Sequence, residues 1–312
     1  MSCSDIELDV SFTLFGNSAD NLVPFLNNLN TSSFCTMNQL NRRTLMQTPA
    51  LLAAAAPFGL SGLLLAPANS HAQIASLPDA IEKGEALFML SQRAAKAYFA
   101  IGLEVRKQEA QKVLDSSVQR FDRLIIEQKA FAPTAAIRKT YTDLGAAWVD
   151  LKIELIGKVP SKAGALIIVK LNEAVFELSG QGTNQLQVAA KTPNSKLQDV
   201  AGNVRMLSQR LSKNYFRKNW GVLADAATAE IQGTTKSYLE GKAFLLAAPQ
   251  TSASVKQKIG LVNDQWAFVE SAINSKKAAT ASNYSDVWGA SENILLAMDE
   301  ICTAYFKLSQ AG

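Results

Sequence analysis

Met89-Leu-Ser-Gln-Arg-Ala-Ala-Lys-Ala-Tyr-Phe99 and Met206-Leu-Ser-Gln-Arg-Leu-Ser-Lys-Asn-Tyr-Phe216 agree at eight of eleven positions across a spacing of 117 residues. The echo continues outward. Phe121 answers Tyr238, Pro133 answers Pro249 and Trp148 answers Trp266, at spacings of 116–118. A match of this length and order marks a duplication, so the region after residue 72 is two copies of one unit of about 117 residues. Prolines 78, 133, 160, 193 and 249 fall between segments of helical apolar periodicity, where proline starts or separates helices. The pattern predicts helices near 78–107, 109–131, 134–158 and 162–190, then near 194–220, 223–247, 252–276 and 283–309. Within each copy the first two helices are the hardest to separate, and one bent helix fits there as well. Helices of this length with short connections predict an all-α fold of two tandem antiparallel four-helix bundles, divided near 190–196 and related by a pseudo-twofold axis or a translation.

The repeated helix carries two apolar stripes. Val204, Leu207, Leu211 and Tyr215 form one seam, matched by Leu87, Leu90, Ala94 and Tyr98 in the first copy. About 110–120° around the helix lies a second stripe: Arg205, Gln209, Ser212 and Phe216, matched by Phe88, Gln92, Ala95 and Phe99. Phe88 and Phe99 on that stripe predict a second packing partner, which is another helix of the bundle, the other repeat or a second subunit. Met89, Met206, Arg93 and Arg210 lie off both stripes. An arginine flanking a core seam pairs with a neighbouring helix, and Glu173 and Glu292 are the expected partners.

The 312 residues include one histidine, His71, and three cysteines, Cys3, Cys35 and Cys302. Residues 73–312 therefore hold no histidine and one cysteine, which excludes a His/Cys metal cluster, a Ser-His-Asp triad, a Cys-His pair and an internal disulfide there. No cofactor is expected and an enzyme is disfavoured. The net charge of +4, with no run of five Lys/Arg, argues against nucleic acid as a partner.

Residues 37–72 resemble an export signal. Met37 opens a short stretch ending in Arg42-Arg43, Thr48 to Ser70 carry no charge, and Ser70-His71-Ala72 offers small residues at a cleavage site before Gln73. Arg42-Arg43-Thr44-Leu45 fits a twin-arginine route as well as the general secretory one. An uncleaved anchor is the alternative, weakened by Pro57, Gly59 and Gly62. Residues 1–36 match no signal pattern and are a leader of doubtful authenticity, with Met37 as the expected start. The expected organisation is thus leader 1–36, signal 37–72, first bundle 73–192 and second bundle 193–312, with the mature protein in the periplasm.

Ala201-Gly-Asn-Val-Arg205-Met-Leu-Ser-Gln-Arg210 resembles the motif of the PilJ-type domain, the periplasmic part of type IV pilus chemotaxis transducers and of nitrate/nitrite sensor kinases, at eight of eight specified positions. The resemblance extends over about 78–310 and implies a four-helix sensor bundle. It implies that Met89, Ser91, Gln92 and Arg93 in one copy, and Met206, Ser208 and Arg210 in the other, are motif positions. It also implies an anion-binding role for the arginine preceding the methionine, which falls on Arg205 alone, since Phe88 stands at that place in the first copy. One charge-assisted contact is worth about 1.5–3 kcal/mol, whereas millimolar binding takes about 4 and micromolar about 8. Arg205 therefore needs help from Gln209 and Ser212 on its own stripe, or from a second chain in a homodimer. No apolar run follows the signal, so family-style transmission requires a partner in the membrane.

Two functions compete. One is a soluble periplasmic ligand-binding or sensory accessory protein, for a small oxyanion, acting with a chemoreceptor or sensor kinase. The other is a structural or protein-interaction helical module with no small-molecule ligand. A polar pocket around Arg205, Gln209 and Ser212 favours the first, and a continuous exposed apolar stripe favours the second.

Overall fold

The computed structural model describes residues 73–190 and 195–311. Residues 1–72, with the expected leader and export signal, and Pro193 at the expected repeat boundary lie outside the described residues. All the described regular structure is helical: α1 (Leu77–Gly102), α2 (Lys107–Phe131), α3 (Ala135–Ile156), α4 (Lys162–Ala190), α5 (Ser195–Asn219), α6 (Ala224–Ala247), α7 (Ala253–Asn274) and α8 (Ala281–Ala311). None of these helices is long and apolar enough to cross a membrane.

Local chemistry sets the helix ends. The side chains of Ser76, Thr134 and Ser252 accept from the backbone N–H groups of Asp79, Ile137 and Val255, which caps α1, α3 and α7. The uncertain junction of the first two helices is a true break in both copies, and α1 stops at Gly102, short of the expected 107. Val105 N–H reaches back to the Ala100 carbonyl and Val222 N–H to the Arg217 carbonyl, the six-residue closure of a left-handed helix stop. The left-handed residue is Gly221 in the second copy (φ 74°) but Glu104 in the first (φ 57°). Arg106 and Leu223, which open the next helices, are also left-handed, with φ of 39° and 48°.

Within each copy the helices contact one another in a ring, first to second, second to third, third to fourth and fourth to first. The paired aromatics sit at matching places: Phe121 stacks on Trp148 at 3.8 Å between ring centroids, and Tyr238 on Trp266 at 4.7 Å. The two rings are not separate bodies. α1 packs on α5 as intimately as on its own neighbours, and the apolar cluster of the first copy takes in Met206, Tyr215, Phe216 and Trp288 of the second. α1 and α5 run parallel. Gln198 Nε2 donates to the Pro78 carbonyl near their starts, and Trp220 covers Gly102 at their ends.

The second apolar stripe is covered partly by this seam and partly by the fourth helix of its own copy. Phe99 is 1% exposed and meets Trp220 edge-on at 6.2 Å, across the repeat boundary. Phe88 is 6% exposed and lies 4.6 Å from Phe176 of α4. Phe99→Ala is expected to lower stability by about 3–5 kcal/mol, read from urea unfolding. A loss below about 0.5 kcal/mol would contradict a close-packed seam. Glu104→Gly is expected to raise stability by about 0.5–1 kcal/mol, because it removes a left-handed side-chain residue. The same change to alanine should bring no such gain.

Candidate functional site

The repeated motif builds a clasp between the copies. Ser91 and Ser208 donate to carbonyls three residues back, those of Phe88 and Arg205, at 2.8 and 2.7 Å. Their hydroxyls accept from Gln92 Nε2 and Gln209 Nε2. Gln209 Nε2 also donates to the Ser291 carbonyl of α8 at 3.0 Å, and Asn172 Nδ2 of α4 donates to the Ser91 carbonyl at 2.9 Å. Met89 and Met206 are buried in the shared core.

The motif arginines pair with Glu173 and Glu292 as the sequence led us to expect, but across the repeats. Arg93 of α1 holds Glu292 of α8 with two nitrogens. Arg210 of α5 holds Glu173 of α4 at 3.1 Å and Glu230 at 3.2 Å. Such reciprocal pairing is what a two-fold relation between copies produces. Two buried lysines complete it: Lys96 donates to Ser291 Oγ and Glu292 Oε1 at 2.9 and 2.6 Å, and Lys213 to Asn172 Oδ1 at 3.0 Å. Burial lowers the Lys96 ammonium to about 8 against the pull of Glu292. Lys213 falls further, to about 7, through burial and the neighbouring Arg210.

Burial opposes the charge of Glu292, yet Lys96 and Arg93 hold its carboxyl at about 2. A depressed carboxyl contributes stability above its unfolded value, near 4.5, and loses it as the pH falls through the folded value. Glu292→Gln is therefore expected to cost about 3 kcal/mol at pH 7. Its difference from the unmodified protein should close between about pH 4.5 and 2. Urea unfolding across that range checks both; a deficit that persists at pH 2 would refute the assignment.

The second stripe of α5 is engaged within the protein. Arg205 is 1% exposed; its Nη1 donates to Asp299 at 2.8 Å and lies 3.8 Å from Glu82. Burial works against the guanidinium charge, but Cys302, Asp299, Glu85 and Glu82 more than offset this and hold it above its ordinary value. Gln209 is held as described, and Ser212 donates to the Ser208 carbonyl at 3.2 Å. Carboxyl groups outnumber the cation around Arg205, so a further anion there meets repulsion, not an open positive site. Arg205 Nε and Nη2 are nevertheless buried without a protein partner.

A second group of polar side chains escaped the sequence reading. Tyr141 Oη and Thr183 Oγ1 lie 2.9 and 3.0 Å from the point a Cβ on Gly84 would occupy, with Gln128 Nε2 at 3.6 Å. Ser179, one turn before Thr183 on α4, faces the same interior. All four polar side chains are buried, and Tyr141 Oη, Gln128 Oε1 and Ser179 Oγ have no hydrogen-bond partner in the protein. Glu85, 3% exposed, crosses toward α5 over Gly202, where any Cβ would strike its carboxyl, and neither of its oxygens has a partner. Burial pushes that carboxyl well above its ordinary value against the pull of Arg205.

The second copy has no such layer. At spacings of 117–119, Leu245 stands for Gln128, Ile259 for Tyr141, Met298 for Ser179, Ile301 for Gly182 and Cys302 for Thr183. A position-by-position alignment of the copies exposes the asymmetry; periodicity within one helix does not. Among the described residues no group of three or more His, Cys, Asp or Glu could hold a metal ion. No family model matches the chain, and no curated protein or solved structure matches it either.

Proposed function

We propose that the chain is a ligand-binding sensory accessory protein of the periplasm, working with a membrane chemoreceptor or sensor kinase and doing no chemistry of its own. The carrying observation is the buried polar layer of the first repeat. Unpartnered buried hydroxyl and amide groups each cost about 1–3 kcal/mol, and the second repeat reaches the same fold with apolar residues there. A polar layer the fold does not need is explained by something it binds. The resemblance of Ala201–Arg210 to the PilJ-type motif supports the sensory role, and the uncharged run before Gln73 supports export. The layer is a better candidate than Arg205, Gln209 and Ser212, so chemotaxis toward nitrate or nitrite is the less favoured form of this reading.

The interaction module remains the second reading, favoured by one feature. Val149, Ile153 and Ile156 form an exposed apolar stripe on α3, continued by Val159, which is 86% exposed. The second copy has Ala267, Ser271 and Asn274 at the stripe positions.

Removing the orphan groups separates the two. Without ligand, Tyr141→Phe and Ser179→Ala are each expected to raise stability by about 1 kcal/mol. In a thermal-shift screen of small anions and metabolites, at least one compound should stabilise the unmodified protein and lose its effect in these variants. Destabilisation by both variants, with no compound active, would leave the α3 stripe as the better guide to function.

A further inference from the structure

The outer face of α3 carries a stripe that the rest of the fold leaves uncovered. Ala146, Val149, Ile153 and Ile156 alternate at spacings of three and four residues, the seam spacing of two helices packed in register. All four are exposed, on the face opposite Leu144, Trp148, Leu151 and Leu155, which point into the core. The second copy has Asp264, Ala267, Ser271 and Asn274 at these places on α7. Both copies build the same helix, so the fold does not require apolar side chains on its outer face. The charges beside the stripe sort by sign. On the side toward α2, Lys152 Nζ reaches Asp122 at 3.0 Å, and Lys129 Nζ lies 3.5 Å from the point a Cβ on Gly145 would occupy. Arg138, seven residues before Gly145, shares that side. Asp143 and Asp150, also seven residues apart, lie on the other side; Asp143 pairs with Lys139, and Asp150 forms no ion pair among the described residues.

We infer that the outer stripe of α3 pairs with the same stripe of a second copy of the chain, the two α3 helices running parallel about a twofold axis along their seam. A face with one sign of charge on each side of an apolar stripe is complementary to itself. With the axis along the helices, the basic side of each meets the acidic side of the other; with the axis across them, like sides meet. The same balance disfavours a lipid surface, because α3 holds three basic and three acidic residues and offers anionic headgroups no net attraction. A contact confined to one helix per chain falls short of the roughly 800 Å² per partner that stable interfaces bury. The dimer is therefore expected to be weak, with a Kd on the order of 10–100 μM. The stripe lies on the outside of the bundle and the polar layer inside it, so the inference holds whether or not that layer takes a ligand.

Sedimentation equilibrium of the full chain over a range of concentrations is expected to show a monomer–dimer equilibrium. Ile153→Asp should raise its Kd at least tenfold, and Asp150→Lys, which sets like charge against the basic side, several-fold. Ser271→Asp, the matching change on α7, should leave it unaltered. These positions are exposed, so an unchanged unfolding temperature separates loss of pairing from loss of fold. Orientation is read by cross-linking, with Cys3 and Cys35 replaced by serine. Val149→Cys and Ile156→Cys should each give a disulfide-linked dimer on mild oxidation, since in a parallel pair every seam residue meets its own copy. Cross-linking by Ile153→Cys but by neither of these makes the pair antiparallel and overturns the arrangement. A chain that stays monomeric at about 0.5 mM, well above the expected Kd, overturns the inference. So does self-association that Ile153→Asp and Ser271→Asp reduce equally. A monomer that binds phosphatidylglycerol vesicles in an Ile153-dependent way also overturns it, and assigns the stripe to lipid.

Discussion

The parallel contact of α1 with α5 is the constraint on which the other features rest. Together with the last helix of each copy it covers the second stripe of the repeated helix, and it places a lysine and an arginine from each copy against the last helix of the other. Buried ion pairs contribute little net stability, because desolvation offsets most of the attraction. Their effect is on alignment. Sliding α1 along α5 by one turn would leave Lys96 and Lys213 buried without their cross-copy partners, at a penalty of several kcal/mol for each charge. The apolar residues thus supply the attraction between the copies, and the charged residues select the one alignment in which they meet.

Within that symmetric frame the copies have diverged in kind. Arg205 answers Phe88, Gly202 answers Glu85, and the layer of Gln128, Tyr141, Ser179 and Thr183 answers Leu245, Ile259, Met298 and Cys302. The changes are spatially related: Glu85 fits because Gly202 has no side chain, and its carboxyl lies within the field of Arg205. The asymmetry therefore occupies one region reaching from the interior of the first ring to the seam. The clasp made by Ser91, Gln92, Arg93 and their counterparts is kept in both copies.

Much of this was legible in the residues. The duplication and the apolar periodicity yield all eight helices, since each feature is local or repeats at fixed spacing. Glu173 and Glu292 were identifiable as partners of the motif arginines because few acids lie at a suitable depth on the last helices. That the pairs cross between copies was not legible, since either carboxylate reaches either arginine until the seam is known. The stop of α1 was hidden because Leu103-Glu-Val-Arg106 contains neither glycine nor proline, and only its counterpart Gly221 hints at a left-handed residue. The polar layer was hidden for a different reason: its members come from three helices, each adding one or two polar residues to an otherwise ordinary apolar stripe.

Covalent continuity between the copies changes what dilution can do. Two separate chains meeting along a seam like that of α1 and α5 would part once their concentration fell below the dissociation constant, and each half would then expose Phe99 or Trp288 to water. Here the halves share a chain, so each sees the other at a fixed effective concentration, of millimolar order for short tethers. Assembly becomes part of folding, and the seam persists in a single isolated molecule. The buried clasp therefore stays intact however few copies are present.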